Sequence, residues 1–245
     1  RGGGTPELFE WHAGMVHTES KSLPAILLGG LGGLRHRVQV DFGAASAQEA
    51  SKLGVKVGDT VTVRKKYRPL LGRRVNVRSL DDRVGCAVLI EALRSLKPEQ
   101  IRRPTWFVFA VEEEVGLRGA EFLAESVRPK EVYPIDTFVS SDSPLENPRM
   151  AGARLGAGFV IRAMDSSGVT PRAAVARVAE LARRNGIPVQ YGVTSGGNDG
   201  SKFVPGGAVN IPLGWPLRYS HSPAELADLA DVEALGKIVR LLAME

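Results

Sequence analysis

The rhythm of apolar and polar positions changes near residue 76. From Leu23 onward, short β-like runs (AILLG, HRVQVDF, DTVTVRKKY and RRVNV) are broken by glycine-rich turns, and one short helix, AQEASKLG, follows Ser46. Beyond residue 76, longer segments alternate. DDRVGCAVLIEALRSL reads as a helix, and TWFVFAVEE reads as a strand buried on both faces. LRGAEFLAES reads as a helix, and PIDTFVSSD, GAGFVIRAM and PVQYGVT as strands. PRAAVARVAELARRNG predicts a helix stopped by Gly186, and DVEALGKIVRLLAM an amphipathic terminal helix. Such alternation predicts an α/β sandwich. The expected division is a β-rich module over residues 1–76, its end reaching the edge of the next domain, and an α/β domain over 77–245.

Composition narrows the function classes. The net charge of +5 comes largely from scattered arginines, without the dense Lys/Arg run of a nucleic-acid tail or membrane patch. No apolar run approaches the ~20 residues a membrane-spanning helix needs, and no secretion signal is visible. The single cysteine, Cys86, has no internal disulfide partner, and its setting in VGCAVLIEAL predicts a small buried hydrophobe. These features predict a cytoplasmic protein that binds neither nucleic acid nor membrane.

Polar residues at the carboxyl ends of buried strands converge on a crevice in an open α/β sheet, so the chemistry is sought there. Asp81 and Asp82 stand where RRVNVRSL gives way to a helix. One suits the helix N-cap, and Asp81 is placed to bridge two cations. Glu112, Glu113 and Glu114 follow TWFVFA. Adjacent carboxylates repel, unless a cation neutralises one while its neighbour accepts a proton from an activated water; the bland reading is an acidic turn. Strand alternation sends Glu113 and Glu114 to opposite faces unless a break at Val115-Gly116 re-aims one. Asp142 ends PIDTFVSSD, with Asp136 inside that strand, and Asp-x-Pro is itself a common turn signal. His221 follows NIPLGWPLRYS; its neighbour Ser222 has no nucleophile elbow around it. Together Asp81, Glu113, Glu114, Asp142 and His221 form an oxygen-rich set with one imidazole, suited to zinc, cobalt or manganese.

In this order, RSLDDRVGCAVLIEAL, FAVEEEVGLRGAE, SSDSP and PLRYSHSPAE resemble the tetrahedral aminopeptidase family, which includes glutamyl aminopeptidases and proteins once labelled cellulase M. The resemblance covers the chain beyond about residue 20, and DFGAASAQEASKLGVKVGD resembles the family's β-rich apical domain. It implies a three-layer α/β sandwich of the zinc-peptidase type with a small PDZ-like apical domain. It also implies two divalent metal ions per subunit and a dodecameric homo-oligomer that admits unfolded peptides. By the same resemblance Asp81 bridges the metals, Glu113 is the general base, Glu114 and Asp142 bind separate metals, and His221 is a terminal ligand. SGGNDGS resembles the family's Gly-Gly-Thr-Asp stretch beside the substrate, which implies a substrate role for Gly196, Gly197, Asn198 and Asp199, with Asn198 in place of the threonine.

Family members also carry an upstream His-x-Asp whose histidine completes one metal position, and no such motif precedes Asp81. His12, His17 and His36 are expected to be ordinary surface or loop histidines. The chain begins at Arg1 rather than methionine, and the missing segment is expected upstream of it. The expected activity is hydrolysis of the first peptide bond of short peptides. Its rivals are glycoside hydrolysis by Glu113 and Asp142, which leaves Asp81 and His221 without a task, and a metal-deficient scaffold acting through the apical module. The preferred N-terminal residue and the native metal are not legible in the sequence, since the pocket depends on loop shapes and these donors accept several ions.

Overall fold

The structure, a computed structural model, describes residues 6–29, 38–140, 142–143 and 152–245. His36, the start of the HRVQVDF run and most of SSDSPLE beyond Asp142 lie outside the described residues.

Strands β1 (His12–His17), β2 (Ser22–Gly29), β3 (Val38–Asp41) and β4 (Thr60–Val63) form an antiparallel sheet in the order β3-β2-β1-β4. Val16, Ala25 and Leu27 turn to its buried side, following the two-residue period of a strand. Helix α1 (Ala47–Lys52) lies between β3 and β4 in sequence. It starts at Ser46, whose hydroxyl accepts the Glu49 N–H at 3.2 Å, while the Glu49 carboxylate accepts the Ala45 N–H at 2.8 Å. The next strands, β5 (Arg68–Pro69) and β6 (Arg74–Asn76), already belong to a second sheet.

The rest of that second sheet follows helices α2 (Arg83–Ser95) and α3 (Arg118–Ser126) and the short strand β7 (Glu131–Val132). It is built from β8 (Ile135–Val139), β9 (Phe159–Asp165), β10 (Gly168–Val169) and, after helix α4 (Arg172–Arg184), β11 (Val189–Val193). A short β12 (Val209–Asn210) pairs with β7, and β13 (Leu213–Arg218) and β14 (Leu226–Asp228) complete the set before helix α5 (Leu229–Met244). The main path runs β10-β9-β13-β14-β6-β5; β8 lies parallel to β13, and β11 parallel to β9. The architecture is mixed α/β.

Strands β9 and β13 are buried along most of their length, which is why FVIRAM and LGWPLR read as continuous apolar runs. Three helices close over them, each by one apolar stripe: Val88 and Ala92 from α2, Val178 and Ala182 from α4, and Leu235 and Ile238 from α5. These meet Trp215, Ile161 and Ile211 in one core. A fully buried side chain of this size contributes about 1.5–3 kcal/mol. Helix α4 stops as its sequence predicts: Gly186 takes the left-handed conformation (φ +64°), and the Ile187 N–H returns to the Ala182 carbonyl at 2.9 Å.

Two expectations are corrected. TWFVFAVEE forms no strand among the described residues: Phe107 packs against the core, while Trp106 and Val111 are each 67% exposed. Apolar and β-branched composition favours a strand only where a neighbouring strand completes the ladder. Here the bond returned to Val111 comes instead from the first turn of α3, the Gly119 N–H at 2.9 Å. Cys86 is exposed rather than buried, because the inward positions of α2 fall to Gly85, Val88 and Ala92. No helix among the described residues is long and apolar enough to cross a membrane.

Candidate functional site

Loops from several elements converge on a cavity of about 850 Å³, lined in part by Asp81, Glu113, Glu114, Asp136 and His221. At the start of α2 the two aspartates divide their work. Asp82 caps the helix, accepting the Gly85 N–H at 2.8 Å, and Asp81 is left to face the cavity. Burial, with Asp136 and Asp81 nearby, pushes the Asp82 carboxyl up to about 8 against the opposing Gly85 bond.

The glutamates reach the cavity through backbone geometry. Left-handed Glu112 (φ 57°) and Gly116 (φ 119°) bracket a single 3-10 turn, Glu113–Val115. That turn replaces strand alternation, so Glu113 and Glu114 both line the cavity. His221 is itself left-handed (φ 61°), as is Tyr219 before it (φ 60°). Non-glycine residues adopt this conformation rarely and at a cost, so several cavity loops hold strained backbone.

His221 Nε2 lies 3.1 Å from Asp81 Oδ2 and 3.4 Å from Glu114 Oε1, and the three donors fall within 4.8 Å of one another. Two carboxylate oxygens and an imidazole nitrogen are donors that zinc, cobalt and manganese accept, so the residues fit a divalent ion. The hydrogen bond to Asp81, with the charges of Glu114, Asp81 and Glu225, outweighs burial and raises His221 to about 9. Burial raises Glu113 to about 7, helped by Asp136, Glu114, Asp199 and Asp81. Positive charge placed among these acids would draw it back down.

Asp136 is the residue that strand-end reasoning passed over. Strand β8 ends at Val139, three residues short of Asp142, and the acid that lines the cavity is Asp136. Its Oδ2 lies 3.0 Å from a guanidinium nitrogen of Arg162, itself only 4% exposed. Arg162 also reaches Asp165 at 3.4 Å and the Gly197 carbonyl at 3.2 Å. Burial outweighs Arg162 and holds the Asp136 carboxyl up at about 6. The available signal was a pair of opposite charges inside two otherwise apolar strands. Asp142 has a different setting: Arg218 Nε lies 2.9 Å away, the Leu155 N–H donates at 3.2 Å, and Ser140 donates its hydroxyl. It is neither within the Asp81–Glu114–His221 cluster nor on the cavity lining. Burial opposes its ionisation, yet these bonds prevail and hold it down at about 2. The Glu113–Asp142 pairing that glycoside hydrolysis requires is therefore not formed across the cavity.

Gly196 and Gly197 line the cavity; Asn198 and Asp199 do not. Asn198 is fully buried, donating to Asp165 at 2.7 Å and accepting from the Asn210 side chain at 3.1 Å, so it braces the glycine loop from behind. Burial raises the Asp199 carboxyl. Among the upstream histidines, His17 is held between the hydroxyls of Ser22 and Thr62, 2.8 Å from each. His12, expected to be an ordinary surface residue, instead lines the cavity at the start of β1, outside the three-donor cluster.

Fold and site together define a mixed α/β protein with a carboxylate-rich, imidazole-bearing candidate cation site. The chain belongs to the M42 glutamyl aminopeptidase family, whose model matches residues 35–238. It is 34% identical over 210 residues to a protein of Acetivibrio thermocellus named as an aminopeptidase, covering 83% of this chain and 61% of that one. It is 29% identical over 211 residues to the lysyl aminopeptidase of Pyrococcus furiosus, covering 84% and 59%. The chain thus spans about three-fifths of the length of these relatives. The Pyrococcus horikoshii TET1 peptidase, described as assembling into a tetrahedron or a large octahedral shell, superposes with a TM-score of 0.88 at 35% identity, over 100% of this chain and 75% of that one. An aminopeptidase of Desulfurococcus kamchatkensis gives 0.90 at 27% identity, covering 100% and 71%.

Proposed function

We propose that this chain carries the catalytic centre of a two-metal aminopeptidase that removes N-terminal residues from short peptides. The observation behind this reading is the meeting of Asp81, Glu114 and His221 within 4.8 Å, with Glu113 on the same cavity wall. Two divalent ions there, zinc, cobalt or manganese, would supply Lewis-acid polarisation of the scissile carbonyl and offset the negative charge that develops on its oxygen. Glu114 and His221 would hold one ion, and Asp81 would bridge to the second. For the second ion Asp136 is the better carboxylate than Asp142: it lines the same cavity, and Arg162 fixes its orientation. Glu113 accepts a proton from the attacking water and returns it to the leaving amine, a task suited to a carboxyl whose affinity for protons is raised toward neutrality. Gly196 and Gly197 leave room for a peptide backbone to lie against the loop that Asn198 braces.

The same reading places a PDZ-like apical module within residues 1–76, supported by the separate four-stranded sheet. It places a three-layer catalytic domain over 77–245, with β5 and β6 lending its edge. It also makes the protein a homo-oligomer, as the P. horikoshii TET1 peptidase is. Release of chromophore from amino-acid anilides should stop in excess chelator and return on adding zinc or cobalt. Hydrolysis undiminished by chelator would overturn the proposal.

A further inference from the structure

Asp81 and His221 come from loops separated by 140 residues of sequence, and one buried side chain touches both loops. Glu225 is 2% exposed. Its Oε2 accepts the Leu80 N–H at 2.5 Å and the Asp81 N–H at 3.4 Å, and its Oε1 accepts the His221 N–H at 3.1 Å. Glu225 is fixed in turn from behind. Its carbonyl accepts the Val77 N–H and the Asn76 side-chain amide, both at 3.0 Å, and the next residue, Leu226, opens β14, which pairs in register with Asn76 of β6. The sheet therefore sets where this carboxylate stands before anything binds. The loops it holds contain strained backbone, Ser79 at φ 61° on one side and Tyr219 and His221 on the other, and such conformations persist only where surrounding bonds over-determine them.

We propose that Glu225 is the positioning residue that sets the separation of Asp81 and His221, and thereby the divalent-metal affinity of the site. The inference rests on the metal reading above and adds a residue to it. A carboxylate suits the task because each of its oxygens accepts from one loop. A glutamine offers one acceptor oxygen and turns its NH2 toward the other loop's N–H, so one of the two loops is released.

The test is cobalt(II) binding by the full chain, followed by calorimetry and by the visible absorption of the bound ion, for wild type and Glu225→Gln well below the melting temperature of each. The expected result is at least a fivefold weaker cobalt affinity with an altered absorption band. A residue with a merely structural role would lower Tm and leave both readouts alone, so a loss under fivefold with an unchanged band overturns the proposal. If Glu225→Gln does not fold, amide exchange in the metal-free wild type decides. Slow exchange at both Leu80 and His221 supports pre-positioning by Glu225, and free exchange at either overturns it. Wild-type chain that takes up no cobalt refutes the metal reading itself, which distinguishes that failure from a failure of Glu225.

Discussion

Asp136 and Asp142 are near neighbours in sequence, and what each meets decides what each can do. Asp136 shares a cavity wall with Asp81 and Glu113 and keeps a raised proton affinity, whereas Asp142 gives its oxygens to Arg218, Ser140 and the Leu155 N–H. Asp142→Asn should therefore leave metal uptake intact and lower stability, while Asp136→Asn should weaken uptake of the second ion; metal analysis after dialysis separates the two. The acid dependence has a definite sign. A carboxyl held at about 2 against an unfolded value near 4 contributes stability above pH ~4 and loses it as pH falls toward 2. Allowing for partial solvent access, the Asp142→Asn variant should be about 1–2 kcal/mol less stable than wild type at pH 7, with the gap closing on acidification when urea midpoints are compared. Equal loss of metal from both variants would return Asp142 to the ligand set.

At the scale of elements, the site stands on two strands that the helices bury. Trp215 of β13 is fully buried in the main core, and its indole N–H has no hydrogen-bond partner among the described residues. Trp215→Ala should cost about 3–5 kcal/mol through the cavity it leaves, whereas Trp215→Phe should cost much less, because it removes an unpaired donor along with part of the ring. Urea unfolding measures both; equal losses would mean that the site tolerates the cavity by collapsing. Helix ends and strand interiors were legible in the sequence because their period reports which face meets the core, as in α4 with its Gly186 stop. The extended run TWFVFA was misread because composition states a preference for burial and pairing without naming a partner strand. Glu225 was invisible for a similar reason, since an acid among SHSPAE reads as an exposed loop residue until β14 closes against β6.

For the whole molecule, the proposed homo-oligomer has a direct consequence. Light scattering on the purified chain should give a mass several times the 26.3 kDa of one copy, and a single-copy mass across the micromolar range would overturn that part of the proposal. Trp106, Val111 and Phe122 are each more than 60% exposed.

The sequence by itself determined the alternating α/β order, most helix and strand positions, and the candidacy of Asp81, Glu113, Glu114 and His221 as one set of acids and an imidazole, although among the described residues no strand leads into the two glutamates. These are local properties: periodicity, capping residues and turn signals act over a few positions, and a resemblance carried by short motifs travels with them. Only the tertiary structure decided that Asp136 rather than Asp142 faces the cavity, that Asp82 caps while Asp81 points inward, and that Glu225 ties two distant loops. Those outcomes depend on which atoms lie across from one another in space, and that is set by sheet pairing between segments as far apart as Asn76 and Leu226.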